Sequence, residues 1–242
     1  MPHEKRTDDD TPVEKRKVVD DLLLKTPPPL SKPLRRIVPS LDPARQPALQ
    51  SDDFDELLSS WHGREKYIEN IGYAPVSREF CEALRRDLQG FGVQRFVEIV
   101  AGSGYMTLLL NRMGFEGVGY TLMKDNGHFE NSPYYREVQK AGCLIDQDIT
   151  TLVCDEAPDM VLASWIPLGG GEEVMAFFEN QWHRGIDTPL FVLIGEWTGG
   201  ATASDAFFDW LERHFDEAGR NEAYTPFDNL HDACVYYKRK PL

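Results

Sequence analysis

Apolar positions along this chain switch between two spacings. SREFCEALRRDLQGFG at 77–92 places Phe80, Cys81, Leu84 and Leu88 on one helical face, opened by Ser77 after Pro75 and stopped at Gly90 or Gly92. RFVEIVA follows, with an apolar run that carries one acid, and reads as a buried strand. GYMTLLLNRMG returns to helical spacing and ends at Gly114, and EGVGYTLM predicts a second strand. The alternation continues with a helix over 134–141, a weak strand around 143–145 and a strong strand in PDMVLASW. Next come a helix in GEEVMAFFENQWHRG, a strong strand in TPLFVLIGEW and an amphipathic helix in SDAFFDWLERHF. Phe207, Phe208, Leu211 and Phe215 form the apolar side of that last helix. A short strand at 222–225 and a longer one in ACVYYKRK at 233–240 close the chain.

Strands separated by helices of this length predict right-handed crossovers and a mainly parallel sheet covered on both faces. The final strand follows a loop instead of a helix, which suits an antiparallel partner. The expected fold class is α/β: a mainly parallel seven-stranded sheet with an antiparallel C-terminal strand and helices on both faces.

The first fifty residues read differently. They hold nine prolines, including PPP at 27–29, and few aromatic side chains. EKRKVVDDLLLK at 14–25 gives a short apolar stripe of Val18, Val19, Leu22 and Leu23; a loosely attached arm is expected here, with a segment that orders on a protein partner as the alternative. From DDFDELLSSW onward, Phe54, Leu57, Leu58 and Trp61 recur at helical intervals. The expected organisation is a flexible Pro-rich extension over residues 1–50 and one domain with N-terminal helices over residues 51–242.

Charge narrows the function classes. Forty acids against twenty-six Lys and Arg give a formal net charge of -14. Residues 1–50 carry ten bases and eight acids, whereas the rest carries sixteen bases and thirty-two acids. A body this acidic opposes broad tracking of nucleic-acid phosphates. Cys81, Cys143, Cys154 and Cys234 are widely spaced and read as buried thiols, with no CxxC pair or Cys/His cluster to hold a metal. The N-terminus lacks an apolar signal core, and no 18-residue apolar run exists. An intracellular, cytoplasmic protein that does not enter membranes is expected.

The chemistry gathers at VEIVAGSGYMTLLL, residues 97–110. Gly102 and Gly104 let the backbone turn tightly ahead of a helix whose first N–H groups favour an anionic or polar ligand end. A dinucleotide turn would need a third glycine and an acid ending the second strand, and VAGSGYM and GYTLM supply neither. No GxxxxGK[ST] stretch occurs, which removes a P-loop hydrolase.

VEIVAGSGYMTLLL, PDMVLASW and HDACVYYKR together resemble the class I S-adenosylmethionine-dependent methyltransferases over roughly residues 70–240. The resemblance implies a Rossmann-like methyltransferase fold with S-adenosyl-L-methionine as cofactor. It puts Glu98, Ala101, Gly102, Ser103 and Gly104 around the cofactor's amino acid part. Tyr120 or Thr121 stands where the family presents a ribose-binding acid, and Val100 stands at the usual first glycine. Asp148, in preference to Asp146, matches the acid near the adenine; Ser164 and Trp165 match the fourth-strand exit that faces both cofactor and substrate. IENIGYAPVSREFCEAL, VGYTL, LIGEWTGGATASDAFFDWLERHF and NLHDACVYYKR are further similar to a poorly characterised group of bacterial and fungal methyltransferase-like proteins.

Amino-methylating relatives place Asp/Asn-Pro-Pro-aromatic after the fourth strand; Trp165-Ile166-Pro167-Leu168 lacks the acid or amide and the final aromatic. Trp165 is instead a candidate stacking wall, with Gly169–Gly171 as a substrate-side turn. GEWTGG puts Glu196 and Trp197 beyond the fifth strand, making Glu196 the candidate catalytic residue, with His231 of the His231-Asp232 pair as the second. His128 sits in a polar loop, KDNGHFENSPYY, that reads as a lid. Asp155, Glu156 and Asp159 read as solvated acids. The expected function is methyl transfer from S-adenosylmethionine to a small-molecule acceptor. The alternative is a catalytically inactive methyltransferase-like binding or interaction module.

Overall fold

The computed structural model describes Ile68 and residues 72–121, 133–152, 154, 157–197, 200–227 and 230–241. The Pro-rich segment 1–50, the helix expected from Phe54 to Trp61, the loop carrying His128, and Asp155 and Glu156 lie outside the described residues.

The elements follow the alternation of periods. Helix α1 (Arg78–Gly90) is capped by Ser77, whose hydroxyl accepts from the Phe80 amide at 3.1 Å. It leads to β1 (Arg95–Ile99), α2 (Tyr105–Arg112), β2 (Glu116–Thr121), α3 (Pro133–Ala141) and β3 (Leu144–Asp146). After a 3₁₀ turn at Ile149–Thr151 come β4 (Met160–Ser164), α4 (Glu172–His183), β5 (Leu190–Gly195), α5 (Asp205–His214), β6 (Phe215–Arg220) and β7 (Ala233–Arg239).

The seven strands form one sheet in the order β3-β2-β1-β4-β5-β7-β6. β1 to β5 run parallel, and β7 is antiparallel to both β5 and β6. Period-two alternation sends Phe96, Met160, Leu162, Val192 and Cys234 to a core shared with α1, α2 and α3. It sends Val97, Ile99, Val161, Ala163, Phe191 and Val235 to the core under α4 and α5. The expected architecture is thus the observed one: helices cover both faces and only the C-terminal strand reverses.

Its C-terminal third corrects two expectations. Residues 222–225 form no strand; the sixth strand is Phe215–Arg220, which follows α5 without a loop. Phe215, expected on the helix, is the first strand residue and remains buried, because the α5 core also lies beneath the start of β6. FDEAGR, with the burial pattern Beeeie, carries no apolar alternation, since β6 is an edge strand with little to bury. A register shift between Glu217 and Gly219 irregularises that edge. Asp159 is likewise engaged, not merely solvated: Oδ2 accepts from the Gln94 and Arg95 amides at 2.9 and 2.7 Å, joining the entrances of β1 and β4.

Candidate functional site

A cavity of about 620 Å³ opens where β1, β2 and β4 deliver their carboxyl ends. The chain order reverses at β1, with β2 on one side and β4 on the other, the position at which open α/β sheets leave a crevice. Glu98, Ala101, Gly102, Ser103, Tyr120, Asp148, Ser164 and Trp165 all line it. Val100 and Tyr105 also contribute to the wall and leave the volume open.

Glu98 is placed by strand alternation on the α2 face of β1, where only 1% of it is exposed. The Thr107 hydroxyl, in the first turn of α2, donates to its Oε2. Burial pushes the Glu98 carboxyl up to about 7, with the Thr107 hydrogen bonds opposing the rise. Gly119, paired in register with Glu98, makes room for this contact: a Cβ there would stand 2.5 Å from the Thr107 hydroxyl.

The turn after β1 is set by unusual backbone. Val100 has φ 57° and Gly102 φ 54°, left-handed values that a β-branched valine adopts only under constraint. The Ala101 amide donates to the Tyr120 carbonyl at 3.0 Å, so β1 and β2 fix the turn from both sides. Gly104, expected beside the cofactor, is not part of the described wall. It caps α2 at φ 72°, and a Cβ there would meet Val138 Cγ1 at 2.7 Å, so its missing side chain serves the approach of α3.

At the other strand ends, Tyr120 is half-buried and Thr121 buried, and both line the cavity. Asp148 caps the 3₁₀ turn, accepting from the Thr150 amide at 2.9 Å and its hydroxyl at 2.7 Å. Asp146 is not among the lining residues. Trp165 leaves β4 at φ 52° while its amide still donates to the Ile194 carbonyl at 2.7 Å. Its ring stacks on Tyr73 at a centroid distance of 5.6 Å and an interplanar angle of 28°. Its Nε1 is buried without a hydrogen-bond partner, as is Asp232 Oδ1.

The two candidate catalytic residues sit elsewhere. Glu196 is buried and absent from the described cavity wall. Its Oε1 accepts from the His231 amide at 2.9 Å, and its Oε2 accepts from the Ala201 amide at 2.7 Å. His231 is exposed and also outside the wall. The expected His231-Asp232 partnership gives way to another: the Tyr224 hydroxyl donates to Asp232 Oδ2. Burial raises both of these groups.

Sequence reasoning passed over several wall residues. Tyr73, Ala74 and Val76 come from the segment before α1, Gln147 from the end of β3, and Glu172 and Glu173 from the first turn of α4. The first three carry no periodic signal, and acids in a helix's first turn read locally as dipole partners. The Gly169–Gly171 turn is tied down as well as placed at the wall. Gly169 donates to the Ala203 carbonyl at 3.1 Å, Ser204 donates to Gly170 at 2.9 Å, and Gly171 would bring a Cβ within 2.8 Å of Phe207.

Among the described residues, no helix is long and apolar enough to cross a membrane, and no group of three or more His, Cys, Asp or Glu forms a metal-binding cluster.

No family model matches the chain, and no curated protein does. Solved structures match the chain at low identity. A Clostridium acetobutylicum S-adenosylmethionine-dependent methyltransferase is 9% identical, with 76% of this chain and 98% of that chain covered and a TM-score of 0.47. Burkholderia thailandensis 1,6-didemethyltoxoflavin-N1-methyltransferase, with 1,6-didemethyltoxoflavin and S-adenosylhomocysteine bound, is 14% identical at a TM-score of 0.48, covering 81% and 92% of the two chains. Synechocystis magnesium protoporphyrin IX methyltransferase, with S-adenosylmethionine bound, is 15% identical at 0.45, covering 81% and 100%. On its own strand order and directions the fold is a mainly parallel α/β sheet with one antiparallel C-terminal strand and helices on both faces, and likeness of this degree carries nothing that those proteins bind or modify over to this chain.

Proposed function

We propose that this chain binds S-adenosylmethionine and transfers its methyl group to a small-molecule acceptor. The observation behind this reading is the open cavity whose wall contains a buried carboxylate, Glu98, beside the Ala101–Ser103 turn. The volume lies within the several hundred Å³ typical of small-ligand sites. The donor set fits an amino acid joined to a nucleoside. In this reading Glu98 receives an ammonium, the first turn of α2 receives the carboxylate end, and the Tyr120 and Thr121 hydroxyls serve the ribose. Asp148 and Gln147 take the adenine side, while Ser164 and Trp165 stand between donor and acceptor.

When bound, the sulfonium supplies a methyl group that is already activated. The chain's own task is to hold the acceptor in line and restrict water. Trp165 serves that task as a wall held by the sheet bond from its amide and by its stack on Tyr73. Glu196 and His231 then act at a distance, by fixing the loop after β5 to the entrance of β7.

A second reading, binding without transfer, is favoured by Val100 at the family's glycine position and by the neutral Tyr120 where an acid is usual. Calorimetric titration of the full chain with S-adenosylhomocysteine tests the first step: uptake that is lost in E98A supports the cofactor assignment, and folded protein without uptake refutes it. Uptake without transfer of labelled methyl groups to any of a broad acceptor panel favours the second reading.

A further inference from the structure

The charge and rim of the cavity carry information about the acceptor, an inference that rests on the proposed cofactor assignment. Among the described wall residues are four carboxylates, Glu98, Asp148, Glu172 and Glu173, and no Lys, Arg or His. Glu98 is buried, whereas Asp148, Glu172 and Glu173 are exposed. The N-terminus of α4 brings roughly half a positive charge to this end of the cavity, and two full negative charges in its first turn exceed that. The described part of the outer wall is therefore hostile to an approaching anion.

The apolar part of the wall is equally selective. Leu168 is 71% exposed and Tyr73 44% exposed, two of only three large apolar side chains left to solvent among the described residues. Both line this one cavity, and Tyr73 is stacked on Trp165. At a concave opening such exposed apolar side chains offer the surface on which the apolar face of a small ligand packs.

We infer that the acceptor is a flat, apolar-faced small molecule, neutral or positively charged, packed on Leu168 and the Tyr73–Trp165 pair and attracted by Glu172 and Glu173. With Glu98 and Asp148 assigned to the methyl donor, these two carboxylates are the ones left to read acceptor charge. Trp165-Ile166-Pro167-Leu168 offers no side-chain acid or amide immediately after β4, so the charged substituent is read by α4 and not at the transfer point. Anionic acceptors are rejected by repulsion from the same pair.

The test uses the full chain and two titrations. Absence of S-adenosylhomocysteine binding would refute the cofactor reading itself and leave the second titration without its premise. With S-adenosylhomocysteine saturating, matched ring systems differing only in charge are titrated: tryptamine, indole-3-acetamide and indole-3-acetate, then naphthylmethylamine against naphthoate. The neutral and cationic members are expected to bind at least tenfold more tightly than the anions. The double variant E172Q/E173Q, its folding followed by thermal melting, narrows that preference to under threefold, and Y73A weakens the neutral and cationic probes together. The proposal is overturned by an equal or greater affinity for the anions, by failure of every flat probe with protein that binds S-adenosylhomocysteine, or by an unchanged preference in the double variant.

Discussion

The Thr107 hydroxyl donates to the Glu98 carboxylate across the junction of β1 and α2, inside the protein. It is the larger of the two Thr107 hydrogen bonds that oppose the rise in the Glu98 pKa caused by burial. The carboxyl is left at about 7, against an ordinary value of 4.5. A group held this way is poised to lose its proton when a cation arrives beside it.

The pH dependence has a definite sign. Between 4.5 and about 7 the folded state binds the Glu98 proton more tightly than the unfolded state does, so this residue's contribution lowers stability as pH rises through that window. Above pH 7 the full cost is present, of order 3 kcal/mol. E98Q keeps an oxygen for Thr107 and removes the charge. Urea melts should show E98Q more stable than the parent at pH 8 by up to that amount and equal to it at pH 4, while calorimetry shows S-adenosylhomocysteine affinity falling at least tenfold.

T107V leaves the buried carboxylate without its donor. Stability at pH 8 is expected to fall by about 1–3 kcal/mol, with a smaller loss at pH 5, where the carboxyl is protonated. T107S should recover most of it. Equal losses at both pH values would show that the hydroxyl does not act through Glu98's charge.

Val100 tests the cost of the turn. Its left-handed φ of 57° carries a penalty of roughly 1–2 kcal/mol that glycine does not incur. V100G should therefore change stability by less than about 1 kcal/mol, because relief of that strain offsets the lost burial and added chain entropy. A loss above 2 kcal/mol in chemical denaturation would mean that the valine side chain, and not the turn, dominates this position.

Glu196 separates a brace from a reacting group. Both its oxygens accept from backbone amides, and Gly200 lies so close that an added Cβ would stand 2.5 Å from the Glu196 Cβ. E196Q forfeits one acceptor toward those amides, and a loss of about 1–3 kcal/mol in stability is expected, with S-adenosylhomocysteine affinity kept within twofold. Abolished methyl transfer at unchanged stability would instead return Glu196 to the chemistry.

Local sequence determined most of the elements and the sheet's character. Largely apolar runs at 96–101, 160–164 and 190–195 specify strands buried on both faces, and the intervening 3.6-residue periods specify the helices between them. Such information is legible because each residue's neighbours along the chain set its period. β6 escaped it: an edge strand with one buried residue needs no apolar alternation, and its identity comes from pairing with β7. The cavity was partly legible through the glycine turn and Glu98. Only tertiary structure brought Tyr73, Leu168, Glu172 and Glu173 to the same opening, from segments separated by up to a hundred residues. It also gave Glu196 and Asp232 partners that their local motifs do not show, the His231 and Ala201 amides and the Tyr224 hydroxyl. Hydrogen-bond partners and charge neighbours depend on which strand ends meet, and sheet order, not spacing along the chain, decides that.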